Sequence, residues 1–259
     1  MPFGQLVIGP PGTGKSTYCY GVQQFLSQVG RKVVIVNLDP ANDSYPYPCD
    51  IDIRSLISVS DLMSNEELGP NGALLYSFSC LEASFDWLKD QLSLHSDAYF
   101  VFDFPGQVEL FTEHTSLRNI TSLLEKLGYR LVCVNLIDSY CCVDPSRFIS
   151  AVLVSLTEML HLELPHVNVL SKIDLLGQYL PDDTSLETFT EVVDLSTLLL
   201  SHAEIPLKYK KLNSLLADLL EEFGLVSFLP LDVSSKELMY EVLKKCDQAI
   251  CYPYPLNFD

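Results

Sequence analysis

The chain has 259 residues, with 34 acidic against 16 basic side chains and a formal net charge of −18. That balance opposes direct contact with nucleic acid or an anionic membrane, because sequence-independent phosphate binding needs clustered Lys and Arg. With 48% hydrophobic and 19% charged residues and no low-complexity tract, the composition fits one globular domain over 1–259 with a sizeable core.

The start of the chain, "MPFGQLVIG", runs straight into an apolar strand with no basic n-region and no long apolar segment. Neither secretion nor membrane insertion is signalled, and a cytosolic protein is expected. "GKSTYCYGVQQFLSQVG" then reads as a first helix ending at Gly30, followed by strands at "KVVIVNLD" and "ALLYSFS". A helix at "CLEASFDWLKDQLSLH" leads to the strand "AYFVFDFPG", and a second, Gly-stopped helix at "TSLRNITSLLEKLG" leads to the strand "RLVCVNLID". "DPSRFISAVLVSLTEMLHLELP" opens with Asp before Pro, a helix-start signal, and ends at Pro165. The strand "HVNVLSKID" follows, then a stretch from Gln178 to Phe223 rich in helix formers, then a last strand in "LVSFLPLDVS". Unbroken apolar strands are buried on both faces, so the reading is a doubly wound α/β domain, its mostly parallel sheet flanked by helices and carrying a helical insertion at 178–223.

Chemistry concentrates at strand ends. "GPPGTGKST" (Gly9 to Thr17) follows a strand and opens a helix, the context that makes GxxxxGK followed by Ser or Thr a P-loop. Gly12, Thr13 and Gly14 supply a loop whose N–H groups face phosphate. Lys15 supplies a point charge, and Ser16 with Thr17 opens the helix, Ser16 able to ligate Mg²⁺. A bound triphosphate also needs carboxylates at neighbouring strand ends, and Asp39 and Asp103 are placed there. Asp39 has a plain alternative as a turn or cap former. Asp103 begins a DxxGQ pattern, with Gly106 and Gln107, that matches the metal-sensing and water-orienting segment of GTPases. Ser171, Lys172 and Asp174 in "SKID" match the motif that selects guanine, since a carboxylate accepts two hydrogen bonds from guanine N1 and N2. Ser171 stands where Asn or Thr is usual, so the loop is expected to be held less tightly. Backbone from Val233 to Ser234 is a weaker candidate for contact with the guanine carbonyl. By itself "PNG" at Pro70 to Gly72 reads as a surface β-turn.

With these residues placed, the chain resembles the GPN-loop GTPase family, named for an inserted Gly-Pro-Asn sequence, here Gly69, Pro70 and Asn71. "GPPGTGKST", "VIVNLDP", "GPNG", "DFPGQVEL" and "SKID" carry the resemblance over nearly the whole chain. Flanking segments such as "FISAVLVSLTEMLHLELPHVNVLSKIDL" are similar to the second of three eukaryotic paralogue types, although the chain ends sooner than is usual there. The resemblance implies slow GTP hydrolysis with Mg²⁺ in a homodimer or in a heterodimer with another GPN-loop GTPase. In it, Asn71 of one subunit acts at the partner's γ-phosphate, as a neutral counterpart of an arginine finger. It implies that Asp103, Gln107 and Glu109 place the attacking water, with Asp39, Ser16 and Asp103 near the metal; Glu109 has a plain alternative as a first-turn helix residue. It further implies a cytoplasmic protein with access to the nucleus, serving RNA polymerase II subunits or their assembly factors. Ala73 follows Gly72 where Gly is frequent, a stiffer loop.

Other classes find little in the sequence. Five histidines (His95, His114, His161, His166, His202) show no paired-ligand spacing, the eight cysteines form no CxxC pair, and no GxSxG elbow occurs. Trp87 lies among apolar residues at helical spacing and reads as core or dimer interface, and the basic run at Lys208 to Lys211 as a solvated helix face. Two alternatives remain open: a nucleotide-gated binding module with incidental turnover, and a P-loop kinase, which would predict ATP preference and a basic acceptor cleft.

Overall fold

The apolar runs line up as a single sheet because each strand buries both faces. In the computed structural model, which describes residues 1–42, 44–179, 186–201, 207–254 and 256, the strands are β1 (Phe3–Ile8), β2 (Val33–Asn37), a two-residue β3 (Ile51–Asp52), β4 (Tyr99–Asp103), β5 (Arg130–Asp138), β6 (His166–Ser171) and β7 (Phe228–Leu231). They pair in the order β3-β2-β4-β1-β5-β6-β7, and every pairing is parallel. Alternate residues of β1 go to opposite sides, Leu6 and Ile8 into one apolar cluster and Val7 into another. The register aligns Val7, Asn37 and Asp103 across three neighbours, so the strands end together at one carboxyl edge.

The helices follow in chain order. α1 (Lys15–Gln28) and the last helix, α11 (Lys236–Ala249), cover the Val7 face with Tyr18, Val22, Leu26, Met239 and Val242. The other face is covered by α3 (Pro70–Ala83), α4 (Phe85–Ser93) and α6 (Thr115–Lys126). α2 (Val59–Asn65) packs on α3, the short α5 (Glu109–Thr112) follows β4, and α7 (Pro145–Leu162) is capped by Asp144, whose carboxylate accepts from the N–H groups of Ser146 and Arg147. Within the expected insertion lie α8 (Leu186–Thr190), α9 (Leu195–Ser201) and α10 (Leu207–Phe223). They form a third cluster with α7 and β7, Phe148 meeting Phe189 edge to face at 5.1 Å. The parts of that insertion at 180–185 and 202–206 lie outside the described residues.

One expected strand is a helix. "ALLYSFS" belongs to α3, because Gly69 caps it in extended conformation and Pro70 takes the first helical position, where its fixed φ suits the helix and its missing N–H costs nothing. Its buried residues, Ala73, Leu74, Ser77, Phe78 and Leu81, recur with helical period rather than alternating. The Pro-Asn-Gly sequence is therefore the first turn of a helix, not a β-turn. No described helix is long and apolar enough to cross a membrane.

Candidate functional site

The turn between β1 and α1 owes its shape to glycine. Gly14, the residue capping α1, takes a left-handed φ of 92° that a side chain would strain. The first-turn N–H groups of α1, which have no partner inside the helix, are thereby left for an anion. Lys15 folds back on the turn, its Nζ donating to the carbonyls of Gly9 at 3.0 Å and Pro10 at 3.1 Å. Burial lowers the Lys15 pKa, against the opposing pull of Asp103 and Asp39. Gly12, Gly14, Lys15, Ser16, Thr17, Asp39 and Gln107 line one cleft of about 470 Å³, while Thr13 is buried behind the turn and donates from Oγ1 to Pro10 O at 2.9 Å.

Asp103 ends β4 beneath this cleft and is 1% exposed. Its Oδ2 accepts from the Tyr47 hydroxyl at 2.7 Å, and its Oδ1 is buried with no hydrogen-bond partner among the described residues. Burial raises its pKa, with the Ser16 and Tyr47 hydroxyls and Lys15 pulling the other way. Asp39, just past β2, accepts from the Ala41 N–H at 3.0 Å; burial raises its pKa too, against that N–H and Lys15. Two carboxylates held in surroundings that disfavour their charge, with a hydroxyl alongside, form a donor set suited to a hydrated Mg²⁺, which takes one or two protein ligands and completes its shell with water and phosphate. The orphaned Asp103 Oδ1 supports that fit. Among the described residues no group of three or more His, Cys, Asp or Glu is arranged to hold a metal, so a cation here depends on the nucleotide's own oxygens.

After Asp103 the chain presses on the P-loop. A Cβ on Gly106 would fall 2.8 Å from Pro11 N and 2.9 Å from Pro11 Cα, so only glycine permits this contact. Gln107 lines the cleft with its Oε1 buried and without a partner among the described residues. Glu109 is placed differently: it is the exposed first residue of α5, outside the cleft lining, as its plain helix-start reading has it.

On the base side, Ser171 ends β6, 4% exposed, with Oγ 2.9 Å from Thr13 O and 3.0 Å from Ile137 O; its one proton serves one of them at a time. Lys172 takes a left-handed φ of 58° and donates from Nζ to Gly12 O at 2.6 Å and to Asp138 Oδ2 at 2.7 Å. The SKID loop is thus stitched to the phosphate loop from two consecutive residues. Asp174 stands exposed just beyond. Val233 packs against α1, its Cγ1 lying where a Cβ on Gly21 would be 2.7 Å away, and the Ser234 N–H donates to Asp232 Oδ1 at 2.8 Å. Ser234 is exposed and its amide is already engaged, so contact with a base through that N–H requires the bond to open. Gly69, Pro70 and Asn71 are exposed at the start of α3, and Leu74, one turn on, lines the cleft, which puts the Gly-Pro-Asn turn at its rim.

Sequence reasoning misses Tyr47 and its support. Tyr47 stacks on Tyr45 at 4.9 Å; the Tyr45 hydroxyl donates to Asp52 Oδ2 at 3.0 Å, and Asp52 pairs with Arg54. Asn37 links the same Asp52 to the Asp39 carbonyl at 3.1 and 3.2 Å. Two tyrosines spaced by a proline in "SYPYPCD" are a signal only in hindsight, because nothing local ties position 47 to a carboxylate 56 residues away.

A family model described as "Conserved hypothetical ATP binding protein" matches residues 7–252. GPN-loop GTPase 2 of Danio rerio is 54% identical over 254 residues, covering 97% of this chain and 82% of that protein. GPN-loop GTPase 2 of Schizosaccharomyces pombe is 52% identical over 257 residues (98% and 82%), and GPN-loop GTPase QQT1 of Arabidopsis thaliana is 51% identical over 256 (97% and 86%). In fold, the chain matches a crystal structure of a GTPase in apo form from Pyrococcus abyssi, with TM-score 0.77 and 23% identity over 96% of this chain and 98% of that one. This P-loop protein belongs to the GPN-loop GTPase family.

Proposed function

We propose that the protein binds Mg²⁺·GTP in the cleft and hydrolyses GTP slowly as a dimer, with itself or with another GPN-loop GTPase, the Gly-Pro-Asn turn of one subunit acting on the nucleotide of the other. The carrying observation is the double tie of Ser171 and Lys172 to Thr13 O and Gly12 O, which fixes a guanine-selective loop against a phosphate loop. By family resemblance the protein works from the cytoplasm in assembling RNA polymerase II and delivering it to the nucleus.

Each residue has a task. The α1 N-terminus and Lys15 hold the β and γ phosphates; Ser16, Asp103 and Asp39 are the residues that would hold the metal, which when bound neutralises charge on those phosphates. Gln107, its amide oxygen unpartnered among the described residues, orients the attacking water. Among the described residues, Lys15 is the one cation lining the cleft, which fits slow turnover in a lone subunit and a donor, Asn71, arriving from a second. Asp174, exposed and free to face a base, selects guanine.

The test is hydrolysis of GTP and ATP with Mg²⁺ over a range of protein concentrations, as rate per chain. The expected result is GTP turnover that climbs with concentration. Equal turnover of ATP would remove Asp174 from base selection, and Asp174→Ala is expected to lower the GTP-over-ATP preference about tenfold or more, the cost of one charge-assisted hydrogen-bond pair. Asn71→Ala is expected to slow turnover about 10²-fold with nucleotide affinity kept, as for loss of one oxyanion donor; an unchanged rate would exclude it. Tyr47→Phe removes the hydroxyl that lowers the Asp103 pKa, so the acid limb of the pH–rate profile is expected to move to higher pH. An unmoved limb would mean that Asp103 does not set it.

A further inference from the structure

Helix α10 buries one side only. Ala217 and Leu220 enter the core, whereas Leu212, Leu215, Leu219 and Phe223 are 54%, 57%, 40% and 57% exposed. These four fall at i, i+3, i+7 and i+11, so they form one continuous apolar stripe along the helix. The charges beside it are sorted by sign: Lys208, Lys210 and Lys211 in the first half, Asp218, Glu221 and Glu222 in the second. The three positive and three negative charges cancel, so the helix itself is neutral although the protein as a whole is acidic.

From this pattern we infer that α10 is a self-association surface, packing antiparallel against α10 of a second copy about a two-fold axis at Leu215. An isologous contact must be self-complementary. Here Leu215 meets its own equivalent, Leu212 lies beside the second copy's Leu219, and Lys211 and Lys208 fall within one residue of level with the second copy's Asp218 and Glu222, about 1.5 Å of rise. Lys211, Asp218 and Glu222 all project on the same flank of the stripe at 100° per residue, and a two-fold axis between antiparallel helices brings like flanks together. A parallel pairing would instead set lysines against lysines and carboxylates against carboxylates. The local groups are lightly committed: Lys208 rests 4.7 Å from the Tyr209 ring, and Asp218 accepts from Ser196 Oγ at 3.4 Å.

The surface lies away from the nucleotide cleft. α10 packs on α7 and α9 at the β7 side of the sheet, whereas the Gly-Pro-Asn turn opens α3 beside the P-loop. A contact here adds to any dimer made through that turn rather than replacing it. One helix pair buries less than the roughly 1,200 Å² of a stable interface, and the net charge of −18 on each copy opposes approach. Salt confines that repulsion to about 8 Å at physiological strength. The association is therefore weak, concentration-dependent and favoured by moderate salt.

Sedimentation of the full chain over roughly a hundredfold concentration range reads it, with GTP turnover per chain measured in parallel. The wild type is expected to show mass rising with concentration, and Leu215→Glu to keep only the part of that rise that the Gly-Pro-Asn turn makes, with its melting temperature and its turnover at low concentration unchanged. Lys211→Glu and Asp218→Lys, each alone, set like charges against each other and are expected to lose the same part of the rise as Leu215→Glu. Mixed in equal amounts they restore both ion pairs and recover it, a rescue that neither the Gly-Pro-Asn turn nor misfolding can mimic. A wild type of constant mass, as would follow if another protein occupies the stripe, overturns the assignment. So does a Leu215→Glu variant that associates like the wild type, or a mixture that fails to recover.

Discussion

Replacing Lys15 with alanine is expected to abolish the stabilisation that Mg²⁺·GTP gives the protein. At a nucleotide concentration a hundred times its Kd, binding to the folded state alone adds about 2.7 kcal/mol, roughly 5–10 °C in Tm for a domain of this size. Lys15 is the single cation lining the cleft among the described residues, and two carboxylates, Asp39 and Asp103, lie close enough to oppose the lowering of its pKa. Without it, the triphosphate meets those carboxylates with no fixed positive charge between them. The change leaves the apo fold nearly intact, because the lysine's own hydrogen-bond partners are two backbone carbonyls, those of Gly9 and Pro10. Thermal unfolding with and without Mg²⁺·GTP checks it, and a variant that keeps the wild-type shift would remove Lys15 from phosphate binding.

The second large effect lies far from nucleotide. Glu158 in α7 is fully buried, neither carboxylate oxygen has a hydrogen-bond partner among the described residues, and burial pushes its pKa up to about 8. A carboxyl raised in the folded state contributes stability that is complete below its unfolded pKa of about 4.5 and is lost as pH rises through 8. His166 works in the other direction: burial holds its pKa down to about 4, so its contribution is present above 6.5 and lost as pH falls toward 4. Between pH 6.5 and 8 only Glu158 of the two still titrates, and there the protein is expected to lose about 2 kcal/mol. Glu158→Gln, neutral at every pH and alike in shape, is expected to flatten the curve in that window. Denaturant unfolding at pH 6.5, 7.2 and 8 checks it, and a slope equal to the wild type's would mean that Glu158 is ionised in the native protein.

Strands and phosphate loop are legible from local pattern because their signals are local. An unbroken apolar run such as "VVIV" has no solvent side to offer, and GxxxxGKS between strand and helix leaves the backbone little choice. "ALLYSFS" shows the limit of such reading. Its β-prone residues suggest a strand, while the Pro at its head and the spacing of Leu74, Phe78 and Leu81 make a helix, and packing beneath the sheet decides the outcome. The edge strand β3, two residues long, is too short to leave a pattern.

Sequence by itself determines the class of fold, the P-loop, the carboxylates at the ends of β2 and β4 and the family resemblance, since each rests on residue type and spacing within a short segment. Tertiary structure alone decides that Gly106 presses on Pro11, that Tyr47 holds Asp103, that Ser171 and Lys172 are tied to the phosphate loop, and that Glu109 stands outside the cleft. It alone decides that the leucines of α10 face solvent rather than core. The division is physical: local pattern records which backbone conformations and faces a segment favours, whereas a hydrogen bond between residues 56 apart, or the partner of an apolar face, depends on how the whole sheet brings distant segments together.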